Sequence, residues 1–180
     1  MKKLFIASLL FLVCFSVNAQ KKKNEKACDS LVVDLDKGTL TFPGGMMTVK
    51  FTADTVKNYF GCSLKDDHEI HTGECGGGLR MEKQGVVFNS EKGFIELDSN
   101  TTAKLSKDFF QMDEDDLNGI DGLIQVSDLS TPDQNEPSES VYLFPKPFGC
   151  LAVWMNIPSK KVHKVQMHNK TYLQAFLCAE

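Results

Sequence analysis

The stretch LRMEKQGVVFNSEKGFIELD, residues 79–98, decides the fold class of this chain. It divides into three short segments, LRMEKQ, GVVFNS and GFIELD, with glycine-bearing turns between them. In the last segment Ile95 and Leu97 fall on one side and Glu96 on the other, which is the two-residue period of a β-strand. Three such segments in succession predict an antiparallel β-meander.

Upstream of this meander the sequence predicts a hairpin and a helix. SLVVDLDKGTLTF, residues 30–42, alternates on both sides of a central DKG and is typical of a β-hairpin. Thr52 is a suitable N-cap for a helix that runs to Phe60 and carries Val56 and Phe60 on one face.

The second half of the chain repeats this order of helix and strands. Residues 103–118, AKLSKDFFQMDEDDLN, predict a helix whose acidic C-terminal end opposes the helix dipole. After a polar, proline-marked loop, STPDQNEPSES, the segments VYLF, CLAVWMN and KVHKVQMHN predict three strands. The expected fold class is α+β, with short helices packed on antiparallel β-sheet. Two organisations fit: tandem α-β-β-β modules over 31–100 and 101–180, or one domain over 31–180.

The N-terminal residues MKKLFIASLLFLVCFSVNAQ predict export. Two lysines, an apolar core and a small residue, Ala19, before Gln20 fit a cleaved signal peptide of residues 1–19. Residues 20–30 would form a solvated, flexible tail. No later apolar run is long enough to span a membrane, so we expect a periplasmic or extracellular protein with no transmembrane segment in the mature chain.

Composition excludes several classes of protein. The 180 residues are 42% hydrophobic and 24% charged, which is against wholesale disorder and against a coiled coil. Residues 1–19 carry two lysines and no acid, so the exported part has 18 basic and 24 acidic side chains, a formal charge of −6. This acidic balance is against a nucleic-acid partner, which requires a basic surface.

Export permits disulfides, and five cysteines follow the signal peptide. Cys62 and Cys75 enclose a short polar loop, and a disulfide closing it would stabilise the fold by roughly 3 kcal/mol in the chain-entropy model. This pair is the predicted disulfide. Cys28 with Cys178 and Cys150 with Cys178 are alternative further pairings, and one cysteine stays unpaired.

The polar residues of the same loop raise the question of a metal site. Asp67, His68 and His71 are candidate ligands, because the HxxH spacing can bring two imidazoles to one side of a turn. A solvated loop explains the same residues, and no spacing fixes a third ligand. We therefore predict no metal and no cofactor.

Charge is unevenly distributed along the second half. Residues 108–145 carry ten acids and no lysine or arginine, whereas residues 146–179 carry five lysines and no acid. Asp113, Asp115 and Asp116 are therefore candidate residues for attracting a charged partner. Calcium binding is the rival use of these oxygen ligands, although their spacing misses the EF-hand register. Keeping the protein in solution is the simpler interpretation.

The segment VYLFPKPFGCLAVWM is rich in aromatic residues and contains the only tryptophan. Core packing is its ordinary role, and a partner-binding patch of Phe144, Phe148 and Trp154 is the alternative. In the strand that follows, regular alternation places His163 on the core face and His168 on the exposed face.

No nucleophile elbow, phosphate loop or dinucleotide fingerprint occurs in the sequence. Cys150 and His163 are the residue types of a thiol hydrolase, but a cysteine inside a buried strand lacks the cationic surroundings that activate a thiol. These observations lean away from an enzyme.

The run TADTVKNYFG, preceded by GGMMTVKF, resembles the opening of the αβ modules of two families. They are the small lipoprotein of the outer-membrane barrel-assembly machinery and the β-lactamase-inhibitor proteins. The resemblance implies short helices against an antiparallel sheet and a role in binding other proteins, and it transfers no functional residue. The predicted function is a protein-binding or inhibitory module of the cell envelope. The alternative is a small secreted hydrolase or metal-dependent enzyme that uses the loop of residues 66–71.

Overall fold

The computed structural model of the chain describes residues 30–60, 64–67, 78–129 and 138–170. The predicted signal peptide, most of the tail and both cysteines of the predicted Cys62–Cys75 disulfide lie outside these residues. The strands are β1 Val32–Asp34, β2 Thr39–Phe42, β3 Gly45–Thr48, β4 Lys65–Asp67, β5 Gly78–Met81, β6 Val86–Asn89, β7 Phe94–Asp98, β8 Lys104–Leu105, β9 Gln125–Leu129, β10 Glu139–Lys146, β11 Gly149–Asn156 and β12 Lys161–His168. The helices are α1 Ala53–Phe60 and α2 Glu114–Asn118, with 3-10 turns at Glu82–Gln84 and Phe109–Gln111.

These strands form two sheets. The smaller sheet has the order β3-β2-β1-β8, in which only the β1 and β8 pair is parallel. The larger sheet has eight strands in the order β4-β5-β6-β7-β12-β11-β10-β9, and every neighbouring pair is antiparallel. The predicted α+β class with antiparallel sheet is confirmed.

The larger sheet combines strands from both halves of the chain. The first half supplies the meander β4 to β7 after α1, and the second half supplies the meander β9 to β12 after α2. The two meanders join at β7 and β12, from the Asp98 and Lys164 pair to the Phe94 and His168 pair. They are therefore continuous through backbone hydrogen bonds. A repeat origin for the two halves stays a prediction.

The hairpin and the first helix form where the sequence predicts them. β1 and β2 pair antiparallel around the expected turn. Thr52 caps α1, since its Oγ1 accepts a hydrogen bond from the Thr55 backbone nitrogen at 3.2 Å. Val56 and Phe60 are fully buried, and the Phe60 ring stacks on Phe88 with centroids 5.6 Å apart. The apolar face of α1 thus holds the helix against the larger sheet.

The main core contains side chains from both sheets, from α1 and from the segment between β8 and β9. The residues that the larger sheet contributes to this core all lie on one face of that sheet. Its largest fully buried side chains are Tyr142, Phe60, Phe88, Phe144, Leu35, Leu40, Met81, Ile95, Leu97 and Leu117. None of the helices in the described residues is long and apolar enough to cross a bilayer.

The helix predicted over residues 103–118 is wrong in most of its length. β8 and the 3-10 turn Phe109–Gln111 occupy its first part, and only α2 is α-helical. Because α2 begins at Glu114, the acidic residues lie in its first turn, where the helix dipole favours negative charge. The unfavourable charge pattern in the prediction arose from placing the start of the helix too early.

The predicted surroundings of both histidines of β12 are wrong, and for His163 the cause is a β-bulge. Trp154 pairs with Lys164 and the next residue, Met155, pairs with Val162, so His163 is the extra residue on β12. Val162 takes the core position and His163 is left half-exposed. His168 does lie on the opposite face, but that face is also covered, and only 2% of His168 is exposed.

Candidate functional site

The acidic segment, residues 108–121, contains six acidic residues and no lysine or arginine. Two buried side chains, Phe109 and Leu117, anchor it to the main core. Its six carboxylates are all exposed: Asp108, Asp113, Glu114, Asp115, Asp116 and Asp121. The segment therefore presents charge from a backbone that is fixed to the core.

Two of these acids also stabilise the local structure. Asp113 is the N-cap of α2, and its Oδ1 accepts a hydrogen bond from the Asp116 backbone nitrogen at 2.9 Å. In return the Asp113 backbone nitrogen donates to Asp116 Oδ2 at 3.3 Å, which completes a capping box. Glu114 and Asp115 take no part in the box. Of the predicted partner-binding acids, Asp115 alone is free of a capping role.

Charge in the acidic segment is not balanced by described basic groups. The described ion pairs join Lys37 to Asp34, Arg80 to Asp98, Lys146 to Asp36 and His163 to Glu139, and none of them involves residues 108–121. Within the described ranges, no three histidine, cysteine, aspartate or glutamate side chains come together as a group that could hold a metal ion. The segment is thus a solvated, negatively charged surface.

The predicted aromatic patch is not brought together by the fold. Phe144 is 2% exposed in the main core, and its ring lies 6.2 Å from that of Phe109. Trp154 belongs to the opposite face of the larger sheet and is 8% exposed. Two residues on opposite faces of one sheet cannot line a common surface. For Phe144 the ordinary interpretation, core packing, holds.

Phe148 has a structural contact of its own. It lies in the turn between β10 and β11, half-buried, against the turn between β1 and β2. Gly38 in that turn has a φ of +63°, and a Cβ there would lie 2.5 Å from the Phe148 ring. Lys146, the last residue of β10, also reaches the turn between β1 and β2, and its Nζ lies 2.6 Å from Asp36 Oδ1. The contact of Phe148 with Gly38 and this ion pair therefore join the smaller sheet to the larger one.

The metal-loop candidates fall largely outside the described residues. Asp67 is the last residue of β4, paired through its backbone with Gly78. The sequence had placed this position in a loop. His68 and His71 lie outside the described part of the chain, as do Cys62 and Cys75, and non-reducing peptide mapping tests that disulfide. Cys150 is a free, fully buried thiol, so its alternative pairing with Cys178 has no support.

The structure reveals a buried polar row that the sequence did not indicate. It crosses from β7 to β12 on the face of the larger sheet that points away from the main core. Gln166 Nε2 donates to Glu96 Oε2 at 2.6 Å, and His168 Nε2 lies 3.0 Å from Gln166 Oε1. Because an amide oxygen only accepts, Nε2 of His168 carries the hydrogen. All three residues are at least nine-tenths buried.

Burial also sets the protonation of the groups around this row. His168 faces Cys150 across the β11 and β12 pair. Burial, with smaller contributions from Lys170 and Lys164, lowers the pKa of His168 to about 4. Burial raises the pKa of the Cys150 thiol to about 11, and its Sγ donates weakly to the Leu151 carbonyl. Both groups are neutral near pH 7, so this pair lacks the thiolate that nucleophilic catalysis requires.

One further position on this face combines an aromatic ring with a cation. The Lys164 ammonium lies 3.9 Å from the centroid of the Trp154 ring, in the geometry of a cation–π contact. The Trp154 indole nitrogen is buried and has no hydrogen-bond acceptor among the described residues. Nearby, the hydrogen bond to the His163 imidazole lowers the pKa of Glu139.

Sequence signals for these features were limited. Alternation in GFIELD placed Glu96 opposite Ile95 and Leu97, but nothing in the sequence showed that the second face of the sheet is covered.

Comparison with protein-family models, with curated proteins and with solved structures found no match to this chain.

Proposed function

We propose that the chain is an exported, non-catalytic module that binds another protein of the cell envelope through the acidic segment. The observation that carries this proposal is the set of six exposed carboxylates in residues 108–121, which has no described ion-pair partner. The matching partner surface is cationic.

The way the segment is held supports a binding role over simple solubility. Phe109 and Leu117, 3% and 0% exposed, hold it to the main core, and the capping box of Asp113 and Asp116 fixes the first turn of α2. A fixed array of like charges speeds the encounter with an oppositely charged protein, and it loses less side-chain and backbone freedom on binding than a flexible loop. The signal sequence and the resemblance of TADTVKNYFG to envelope protein-binding modules support the same function.

The test combines cross-linking with a charge variant that spares the cap. A photo-reactive residue in place of Asn118, which is exposed at the end of α2, is used to trap the partner in the envelope of the source cell. Association of the trapped partner is then measured with the Glu114→Gln/Asp115→Asn variant. We expect slower association than with the unaltered protein, and a smaller difference at 1 M than at 0.1 M salt, since the screening length falls from about 10 Å to about 3 Å.

A matched control keeps the same change in net charge elsewhere. Asp54→Asn/Glu91→Gln also removes two exposed carboxylates, from α1 and from the turn before β7. This variant should associate at nearly the unaltered rate. Equal rates for both variants, or rates that salt does not change, would leave the acidic segment as a solubility feature. Stoichiometric metal in the purified protein would favour the metal-dependent enzyme.

A further inference from the structure

Two tripeptides of the sequence fit the acceptor motif for N-glycosylation, Asn-X-Ser/Thr, in which X is any residue but proline. They are NTT at residues 100–102 and NKT at residues 169–171. In an exported protein a sugar at such a motif is bulky and belongs on the surface, so its asparagine must have an accessible side chain. The structure places the two asparagines very differently.

The first motif begins in the exposed turn that follows β7. The Thr101 backbone nitrogen donates to the Asp98 carbonyl at 3.0 Å, so residues 98–101 form a hydrogen-bonded β-turn with Asn100 as the third residue. The Asn100 backbone nitrogen also donates to Asp98 Oδ1 at 2.8 Å, which fixes the turn further. Asn100 is thus presented to solvent from a backbone with a defined conformation.

Within this motif only the middle residue is tied to the rest of the fold through its side chain. Thr101 Oγ1 donates to the Gln84 carbonyl at 2.7 Å, and the Thr102 backbone nitrogen donates to the same carbonyl at 3.2 Å. Asn100 and Thr102 are both exposed, and the side chain of neither makes a hydrogen bond with another described residue. The amide that would receive the sugar and the hydroxyl that completes the motif therefore both face solvent.

The asparagine of the second motif is already engaged. Asn169 is half-buried, and its Nδ2 donates to the Val49 carbonyl at 3.4 Å. A Cβ on Gly93 would lie 2.5 Å from the same Nδ2, so the amide packs closely against the turn before β7. Nδ2 is the atom that would bond to the sugar. The two motifs share their chemistry, but Asn100 has the accessible acceptor atom.

We propose that Asn100 is an N-glycosylation site of the exported protein and that Asn169 is left unmodified. The donor is a sugar linked to a membrane lipid through a diphosphate. Asn100 Nδ2 forms a bond to the anomeric carbon of this sugar while the bond from that carbon to the diphosphate oxygen breaks. The lipid diphosphate leaves, and the amide nitrogen loses one proton to the transferase. The inference rests on the export in the proposed function and does not depend on the acidic segment.

Mass spectrometry of the exported protein, isolated from its source cell, tests the modification directly. Trypsin should release residues 93–104, GFIELDSNTTAK, which contain one asparagine. We expect this peptide to carry the added mass of a sugar, and electron-transfer fragmentation should place that mass on Asn100. An unmodified peptide, or a sugar on the hydroxyl of Ser99, Thr101 or Thr102, would overturn the proposal.

Matched variants separate recognition of the motif from other causes of added mass. Asn100→Gln and Thr102→Ala should each abolish the added sugar, whereas Thr102→Ser keeps the hydroxyl and should retain it. Asn169→Gln is the control at the second motif and should leave the sugar in place. Persistence of the sugar in Asn100→Gln, or its loss in Asn169→Gln, would contradict the assignment.

The outcome also distinguishes this inference from the proposed function. A chain that is exported without a sugar on Asn100 overturns the glycosylation site and leaves the proposed binding role standing. A chain that is not exported overturns both. A sugar on Asn100 together with salt-independent partner association supports the site and contradicts the role of the acidic segment.

Discussion

Acidification should unfold this protein partly through one histidine, His168. Its ring is 2% exposed, and burial holds its pKa at about 4 in the folded protein, against about 6.5 in an unfolded chain. The unfolded chain therefore takes up a proton first as the pH falls. The part of the unfolding free energy that is linked to His168 is present in full above about pH 6.5. It is lost progressively between about pH 6.5 and pH 4.

The size of the effect follows from the difference between the two pKa values. The whole difference corresponds to roughly 3 kcal/mol, and about 2 kcal/mol of it should be lost between pH 7 and pH 5. Protonation is costly because the neutral ring already donates Nε2–H to Gln166, so the added proton would go to Nδ1 in a buried site. Lys170 and Lys164 add to the effect of burial on the pKa of His168, and Glu96 accepts the hydrogen bond at the other end of the row.

Urea unfolding at several values between pH 7 and pH 5 measures this loss. The unaltered protein is compared with His168→Asn, which cannot take up a proton in this range and should lose about 2 kcal/mol less. The half-exposed His163 of the same strand is the matched histidine control, and His163→Asn should keep the loss of about 2 kcal/mol that is assigned to His168. The same slope in the unaltered protein and in His168→Asn would refute the assignment.

Three further substitutions test the fold, each by chemical denaturation. Phe60→Ala should cost about 3 to 5 kcal/mol, because a fully buried ring is removed from the main core. Tyr59→Ala, at a partly exposed position, should cost much less. A loss below about 1 kcal/mol for Phe60→Ala would show that α1 does not pack on the core. Gly38→Ala should destabilise by about 1 to 3 kcal/mol more than Gly122→Ala, since both have positive φ but only Gly38 meets a ring; equal losses would exclude the contact as a cause. Asp113→Ala should cost about 1 kcal/mol through loss of the helix cap, and an unchanged stability would contradict the capping box.

Local sequence patterns determined the elements whose signals are local. The hairpin of β1 and β2, helix α1 and the long strands β10, β11 and β12 form where alternation, a cap residue or turn residues predict them. Each of these signals acts between residues that are close in the chain, so it is visible without a partner strand. The α+β class followed from them.

Elements with few residues depended on partners far away in the sequence. β8 has two residues and exists because it pairs with β1, about seventy positions upstream. The sequence does not predict β3, β4 and β9 as strands. Of the helix predicted over residues 103–118 only α2 is α-helical, and Phe109 lies in a 3-10 turn that packs in the main core. Short segments have too little intrinsic preference to resist such contacts.

For the candidate sites, the sequence by itself determined the excess of acids in residues 108–121 and the positions of the aromatic residues. The tertiary structure decided which of them face solvent. It buried Phe144 and Trp154 on opposite faces of one sheet, used Asp113 and Asp116 as a cap, and joined Glu96, Gln166 and His168 in one row. Strand alternation assigns a side chain to a face, but whether that face meets water depends on what packs against it, and this is set by contacts between distant parts of the chain.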